Sequence, residues 1–149
     1  MKIHFLYGSQ SGTAEFLCDN LEGEVSDRFD CQVSSMEDAD PTVLDPETFY
    51  VLVSATFGSG QLPDSAQSFL ETLEDRKPDL SGIRFAIFGL GDRSFGETFN
   101  NGSKLLMTQM LACNAQMVGE RGLHDASSED LPQSVALPWL KGILDQLPA

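Results

Sequence analysis

A segment near the N-terminus combines the groups that proteins use to hold a phosphate without a basic side chain. It reads LYGSQSGTAE over residues 6–15 and contains the hydroxyls of Ser9, Ser11 and Thr13, one amide and two glycines. An apolar run ends in this loop, and a helical pattern of apolar residues begins directly after it. That order directs backbone N–H groups and the positive end of a helix at one point, which favours a phosphate. The alternative is a helix cap, which needs only one hydroxyl, that of Ser11 or Thr13.

Two further loops follow apolar runs and place an aromatic side chain among small residues. The second loop reads SATFGSGQLP over residues 54–63 and contains Phe57, while the third reads GLGDRSFG over residues 89–96 and contains Phe95. A lone loop phenylalanine often packs back onto the core. Two of them beside a phosphate loop are what a flat heterocycle with a terminal phosphate needs.

The elements that must position these loops alternate along the chain. Apolar patterns predict strands over residues 3–7, 29–35, 49–55, 84–90 and 115–119, with a polar loop over 122–132 after the last one. Helices are predicted over about 13–25, from 63 to about 77, around 103–113 and over about 136–147, and residues 37–47 are predicted as loop or short irregular helix.

This alternation predicts one α/β domain over residues 1–149, a doubly wound parallel sheet of five strands with helices on both faces. Ligands of such sheets bind at the carboxyl ends of the strands. The three loops are therefore expected at one edge.

The amino-acid composition argues against some classes of binding partner and favours another. The formal net charge is -14, which argues against binding nucleic acid or an anionic membrane and favours a basic protein partner. The three cysteines have no metal-ligand spacing and are expected to be buried free thiols, and no signal peptide or apolar span is visible. The sequence thus predicts a cytoplasmic protein without a metal site. His4 and His124 are interpreted as structural, and Trp139 as a residue of the apolar stripe of the last helix.

The motifs at residues 8–15, 54–64 and 89–95 resemble those of the flavodoxin family. The resemblance covers the whole chain and is strongest to small free-standing flavodoxins of the MioC type and to the FMN domains of diflavin reductases. It implies FMN as cofactor, with residues 9–14 around its phosphate and Phe57 and Phe95 against the two faces of its ring. It also implies that the peptide at Gly58 rotates when the flavin gains one electron.

The residues expected to bind the cofactor come from all three loops, whereas the resemblance does not decide whether Phe99 or Asp125 contacts the flavin. The expected residues are Ser9, Gln10, Ser11, Gly12, Thr13, Ala14, Ala55, Thr56, Phe57, Gly58, Ser59, Gly60, Leu90, Gly91, Asp92 and Phe95.

The resemblance implies a monomeric electron carrier that shuttles single electrons from a reductase to an acceptor enzyme. Acidic residues near the expected flavin edge would form a docking face for these basic partners, namely Asp64, Asp92, Glu97 and residues 37–40. The alternative is that they are ordinary solvated charges or helix caps, with Asp64 as the candidate N-cap of its helix. A stand-alone FMN-dependent NAD(P)H or quinone reductase is the alternative, although no second dinucleotide motif is present. A phospho-receiver would need clustered aspartates after the first strand, where the chain has Tyr7-Gly8-Ser9.

Overall fold

A computed structural model describes residues 2–8, 12–56, 62–91 and 101–147. Its strands are β1 (Lys2–Gly8), β2 (Asp30–Ser35), β3 (Thr48–Ala55), β4 (Arg84–Gly91), β5 (Gln116–Met117) and β6 (Gly122–Asp125). Its helices are α1 (Thr13–Val25), α2 (Asp64–Arg76), α3 (Asn101–Ala112) and α4 (Pro132–Asp145). Two 3-10 turns, Met36–Asp38 and Pro41–Val43, occupy the segment predicted as loop or irregular helix.

The strands form a parallel sheet, as the alternation of elements predicts, and their order is β2-β1-β3-β4-β5. The first strand lies inside the sheet, so the chain winds outward from it in both directions. This is the doubly wound α/β fold.

The fifth strand position differs from the prediction. The sequence predicts one strand over residues 115–119 and a loop from Gly122 onward, whereas the structure has two short strands that both pair with β4. From Phe85 to Phe88, β4 advances three residues while its partner advances five, from Met117 to Gly122. Gly119, at a φ of 72°, lies in this interruption. Positive φ is incompatible with extended pairing, so the strand stops there and resumes at residue 122.

Each face of the sheet carries two helices. On one face α1 and α4 cover Phe49, Val51 and Val53 of β3. On the other, α2 and α3 cover Tyr50 and Leu52. Successive side chains of a strand point to opposite faces, so a strand covered on both faces is apolar at consecutive positions, here from Phe49 to Val53 of β3. This explains its continuous apolar run.

The cysteines are free thiols, and Cys18 and Cys113 are buried while Cys31 is half-buried. Burial raises the pKa of the Cys18 thiol far above its usual range, so it stays neutral. Within the described ranges, the helices are all too short or too polar to cross a membrane.

Trp139 is partly buried and packs against Phe88, with ring centroids 5.2 Å apart. Its Nε1 donates to the carbonyl of Glu120 at 2.9 Å, so the indole also fixes the interruption of the fifth strand. His4 accepts or donates a hydrogen bond with the Ser34 hydroxyl at 2.9 Å, and burial lowers its pKa. Both observations agree with structural roles.

Candidate functional site

The carboxyl ends of four strands lie side by side at one edge of the sheet. The register aligns Gly8 of β1 with Ser54 of β3, Ser54 with Gly89 of β4, and Gly89 with Leu123 of β6. Adjacent strands are about 4.8 Å apart, so the roots of the three sequence-predicted loops are neighbours. The pairing continues to the end of each strand, because the N–H of Thr56 donates to the carbonyl of Leu90 at 3.0 Å and that of Ala126 to Gly91 at 2.7 Å.

The first loop leads into α1 through a glycine. Gly12 is the cap residue of the helix, with a φ of 88°, and its carbonyl accepts the N–H of Phe16 at 2.9 Å. A Cβ added at Gly12 would meet nothing within 4 Å. The alternative raised from the sequence, that Ser11 or Thr13 caps this helix, is therefore wrong, because the cap residue is Gly12.

A glycine at the cap supplies no side-chain oxygen for the N–H groups of the first turn. Thr13 is exposed and Ala14 is fully buried, which places the turn with its first residue toward solvent and its second against the core. A glycine-capped helix start fits a phosphate, since the helix dipole and the first-turn N–H groups both favour an anion there.

The start of α3 closes against the root of the second loop. The N–H of Gly102 donates to the hydroxyl of Thr56 at 2.9 Å. A Cβ at Gly102 would lie 2.8 Å from the Leu62 side chain, 2.8 Å from the Thr56 hydroxyl and 3.0 Å from the carbonyl oxygen of Ala55. Only glycine lets the helix approach this closely. The contact ties the root of the second loop to the start of α3.

A half-buried arginine holds the same helix start from the other side. Nη1 of Arg121, in the interruption of the fifth strand, donates to the fully buried hydroxyl of Ser103 at 2.8 Å. Burial lowers the pKa of Arg121, but a guanidinium stays charged at neutral pH. Sequence reasoning missed Gly102, Ser103 and Arg121, and the only available signal was a glycine at the beginning of a predicted helix.

The end of β6 brings Asp125 beside Gly91. One carboxylate oxygen of Asp125 accepts the N–H of Ser127 at 2.9 Å and its hydroxyl at 2.7 Å, which forms a local turn. His124 lies in this strand rather than in the predicted loop, and it is buried with Nε2 2.7 Å from the carbonyl of Asp130. Because a carbonyl only accepts, Nε2 carries the proton.

The described residues therefore bring together part of the predicted site: Gly12, Thr13 and Ala14 at the start of α1, and Ala55, Thr56, Leu90 and Gly91 at the strand ends. The others lie outside the described residues, as do Glu97 and Phe99: Ser9, Gln10, Ser11, Phe57, Gly58, Ser59, Gly60, Asp92 and Phe95.

The acidic docking residues are placed in part. Glu37, Asp38, Asp40 and Asp64 are exposed. Asp64 is the first residue of α2, and Pro63 stands at the cap position where the sequence favoured Asp64. In the ranges that the structure covers, no three His, Cys, Asp or Glu side chains group closely enough to hold a metal ion.

A doubly wound parallel sheet whose glycine-bearing strand ends meet beside a glycine-capped helix defines a nucleotide-binding protein of the α/β class. The family model described as flavodoxin matches residues 5–139, and the chain belongs to the flavodoxin family. FMN is the cofactor of this family, so the chain is an FMN-binding electron-transfer protein. The start of α1 is the described part of the chain that fits the FMN phosphate.

Individual relatives support this assignment. The chain is 29% identical over 142 residues to protein MioC of Escherichia coli O157:H7, covering 93% of this chain and 92% of the relative. It is 33% identical over 148 residues to the sulfite reductase [NADPH] flavoprotein alpha-component of Bacillus subtilis, covering 98% of this chain. The chain spans 24% of the length of that relative.

A flavodoxin from Pseudomonas aeruginosa, solved as a cysteine-to-serine mutant, superposes with a TM-score of 0.83 at 28% sequence identity, covering 99% of both chains. The resemblance to flavodoxins, to MioC and to reductase flavoproteins is thus confirmed, together with the doubly wound fold.

Proposed function

We propose that this protein passes single electrons from a reductase to an acceptor enzyme through FMN bound at the carboxyl edge of its sheet. The observation that carries the proposal is the adjacency of three strand ends, Gly8, Ala55 and Gly91, with the glycine-capped start of α1. One planar ligand with a terminal phosphate can engage all of these elements.

The proposed division of labour follows the three loops. Residues 9–14 hold the phosphate through N–H groups and hydroxyls, while Phe57 and Phe95 flank the ring. The second and third loops supply the remaining contacts through Ala55, Thr56, Gly58, Ser59, Gly60, Leu90, Gly91 and Asp92.

Bound FMN supplies the capacity to accept and release electrons singly. The protein's part is to set how strongly the reduced cofactor gives them up. Full reduction of bound FMN would add negative charge to a protein of net charge -14, and the phosphate loop has no Lys or Arg to offset it. Like charges repel, so this environment favours a strongly reducing cofactor.

The proposed partners are basic redox proteins. Several exposed acidic residues support this, namely Glu37, Asp38, Asp40 and Asp64, because charge complementarity accelerates encounter. We further propose a cytoplasmic monomer, with residues 1–149 as one domain and no substrate turnover of its own.

The experiment is anaerobic reduction of the purified FMN-loaded protein by NADPH, followed by its visible spectrum. An electron carrier stays oxidised with NADPH alone and is reduced when a catalytic amount of a basic NADPH-dependent flavodoxin reductase is added. Fast reduction by NADPH alone would instead support a stand-alone reductase. Failure of FMN to bind at all would contradict the proposal.

The salt dependence of the reductase-mediated rate tests the partner's charge. Raising ionic strength from about 0.01 M to 0.15 M shortens the Debye length from about 30 Å to about 8 Å. The rate should fall severalfold if oppositely charged surfaces steer encounter. A rate insensitive to salt would argue against a basic docking partner.

A further inference from the structure

Two exposed apolar side chains meet in a depression beside the start of α1. Phe16 is 61% exposed and Leu131 is 58% exposed. Both line a depression of about 400 Å³ together with Leu17 and Pro132. We call this surface the Phe16–Leu131 patch.

Neither Phe16 nor Leu131 has a structural role at its position that calls for an apolar side chain. The buried face of α1 consists of Ala14, Leu17, Cys18, Leu21 and Val25. Phe16 lies outside that face, so the core does not need it. Leu131 is the cap residue of α4, where leucine supplies no oxygen for the first-turn N–H groups. Exposed apolar residues at two such positions beside one depression point to contact with another molecule.

Among the described residues, those next to the patch along the chain carry charge of a single sign. The chain has no Lys or Arg over residues 3–27 or 122–140, which include all of α1 and the approach to α4. Asp19 is exposed one helical turn after Phe16, and Asp130 is exposed directly before Leu131. Glu129 adds a third exposed carboxylate. Exposed carboxylates next to an apolar centre match a surface that carries an apolar side chain beside Lys and Arg.

The patch borders the proposed phosphate site. Gly12 and Thr13, both at the start of α1, line the same depression as Phe16 and Leu131. A protein docked there is held next to the cofactor. A second copy of this chain fits poorly, because each copy would bring the same acidic residues to the contact and they would repel each other.

We propose that the Phe16–Leu131 patch docks the basic redox partner. Its apolar centre provides affinity, and the neighbouring carboxylates of Asp19, Glu129 and Asp130 orient the approach. This inference rests on the proposed function, because it assigns a surface to the partner of that electron transfer. It extends the proposed docking face, whose exposed acids lie at other positions, to the surface between α1 and α4.

The test uses ferric cytochrome c, a strongly basic haem protein, as the probe. The dissociation constant is measured by calorimetric titration of the oxidised FMN-loaded protein at low ionic strength. The double variant Phe16→Gln with Leu131→Gln should raise the dissociation constant about tenfold, since partly exposed apolar anchors are lost. The matched control is Leu111→Gln, which changes a 44% exposed leucine of α3 on the opposite face. It should change the constant less than about twofold.

Charge reversal gives a second variant that leaves the apolar residues in place. Asp19→Lys should weaken cytochrome c binding severalfold and reduce its salt dependence, whereas Asp75→Lys, at an exposed position of α2, should have a smaller effect. Equal dissociation constants for patch and control variants, or no binding to the unaltered protein, would overturn the docking proposal.

Binding and electron transfer are read separately. The rate of cytochrome c reduction by the dithionite-reduced protein should fall in parallel with binding. If the unaltered protein binds cytochrome c through the patch but does not reduce it, the proposed electron transfer fails while the patch remains a docking surface. If all variants reduce it at the same rate and bind it equally, the patch assignment fails and the electron transfer stands.

Discussion

The starts of α1 and α3 both lie at the carboxyl edge of the sheet, and both depend on glycine for opposite reasons. At α1, Gly12 is needed for its positive φ, and open space surrounds the position. At α3, Gly102 is needed because Thr56, Leu62 and Ala55 leave no room for a side chain. Among the described residues, no atom lies within 4 Å of a Cβ placed at Gly12, whereas neighbouring atoms already occupy that space at Gly102.

The difference explains how one edge can be both firm and open. The packed start of α3 joins the root of the second loop, through Thr56 and Gly102, to the interruption of the fifth strand, through Ser103 and Arg121. The start of α1 is the proposed site for an anion. A rigid side and a receptive side are what a tightly held planar cofactor requires.

The largest change in the free energy of unfolding is expected from adding a side chain at the packed start of α3. Gly102→Ala should lower the free energy of unfolding by about 1–3 kcal/mol, because the added methyl would lie 2.8 Å from the side chains of Leu62 and Thr56 and 3.0 Å from the carbonyl oxygen of Ala55. Urea denaturation of the FMN-free protein measures it.

The matched control is Gly142→Ala, inside α4, where a Cβ meets nothing within 4 Å. It should raise the free energy of unfolding by about 0.5–1 kcal/mol, the helix preference of alanine over glycine. Equal effects at Gly102 and Gly142 would show that α3 does not close as tightly as the structure indicates.

An intermediate effect is expected from removing the oxygen that anchors α3. Thr56→Val keeps the shape of the side chain but leaves the N–H of Gly102 without that acceptor, at a cost of about 1.5 kcal/mol. Thr56→Ser restores the hydroxyl and should recover most of the loss. If valine and serine destabilise equally in urea, the hydrogen bond is not what holds the helix start.

The smallest effect should come from the open start. Gly12→Ala costs about 1 kcal/mol of unfolding free energy, since the methyl meets no atom and only the positive φ is strained. Gly23→Ala, in α1 with similar open space, serves as control and should stabilise. A loss at Gly12 as large as that at Gly102 would mean that α1 is also packed shut.

The sequence predicts the sheet well because its signals are local. The continuous apolar run of β3 predicts a strand covered on both faces, and burial of all but its last residue confirms this. The position of the three loop roots also follows, because parallel strands necessarily share a carboxyl edge.

The contacts that shape the edge could not be predicted, because their partners are distant in the chain. Thr56 and Gly102 are 46 residues apart, and Ser103 and Arg121 are 18 apart. Gly8 illustrates the same limit. It reads as a loop glycine, yet a Cβ there would lie 2.6 Å from that of Ala66, so it serves the packing of α2. The sequence does not predict β6, the second half of the fifth strand position. The polar residues between Glu120 and Asp125 hide the alternation of buried and exposed positions that identifies a strand.

The most direct test of the account is a titration of the FMN-free protein with FMN and, separately, with riboflavin, followed by quenching of flavin fluorescence. Riboflavin has the same ring and lacks the phosphate. If the glycine-capped start of α1 anchors the phosphate, FMN binds at one per chain and at least about a hundredfold more tightly than riboflavin, the worth of two charge-assisted hydrogen bonds. No quenching by FMN, or equal affinity for both flavins, would contradict it.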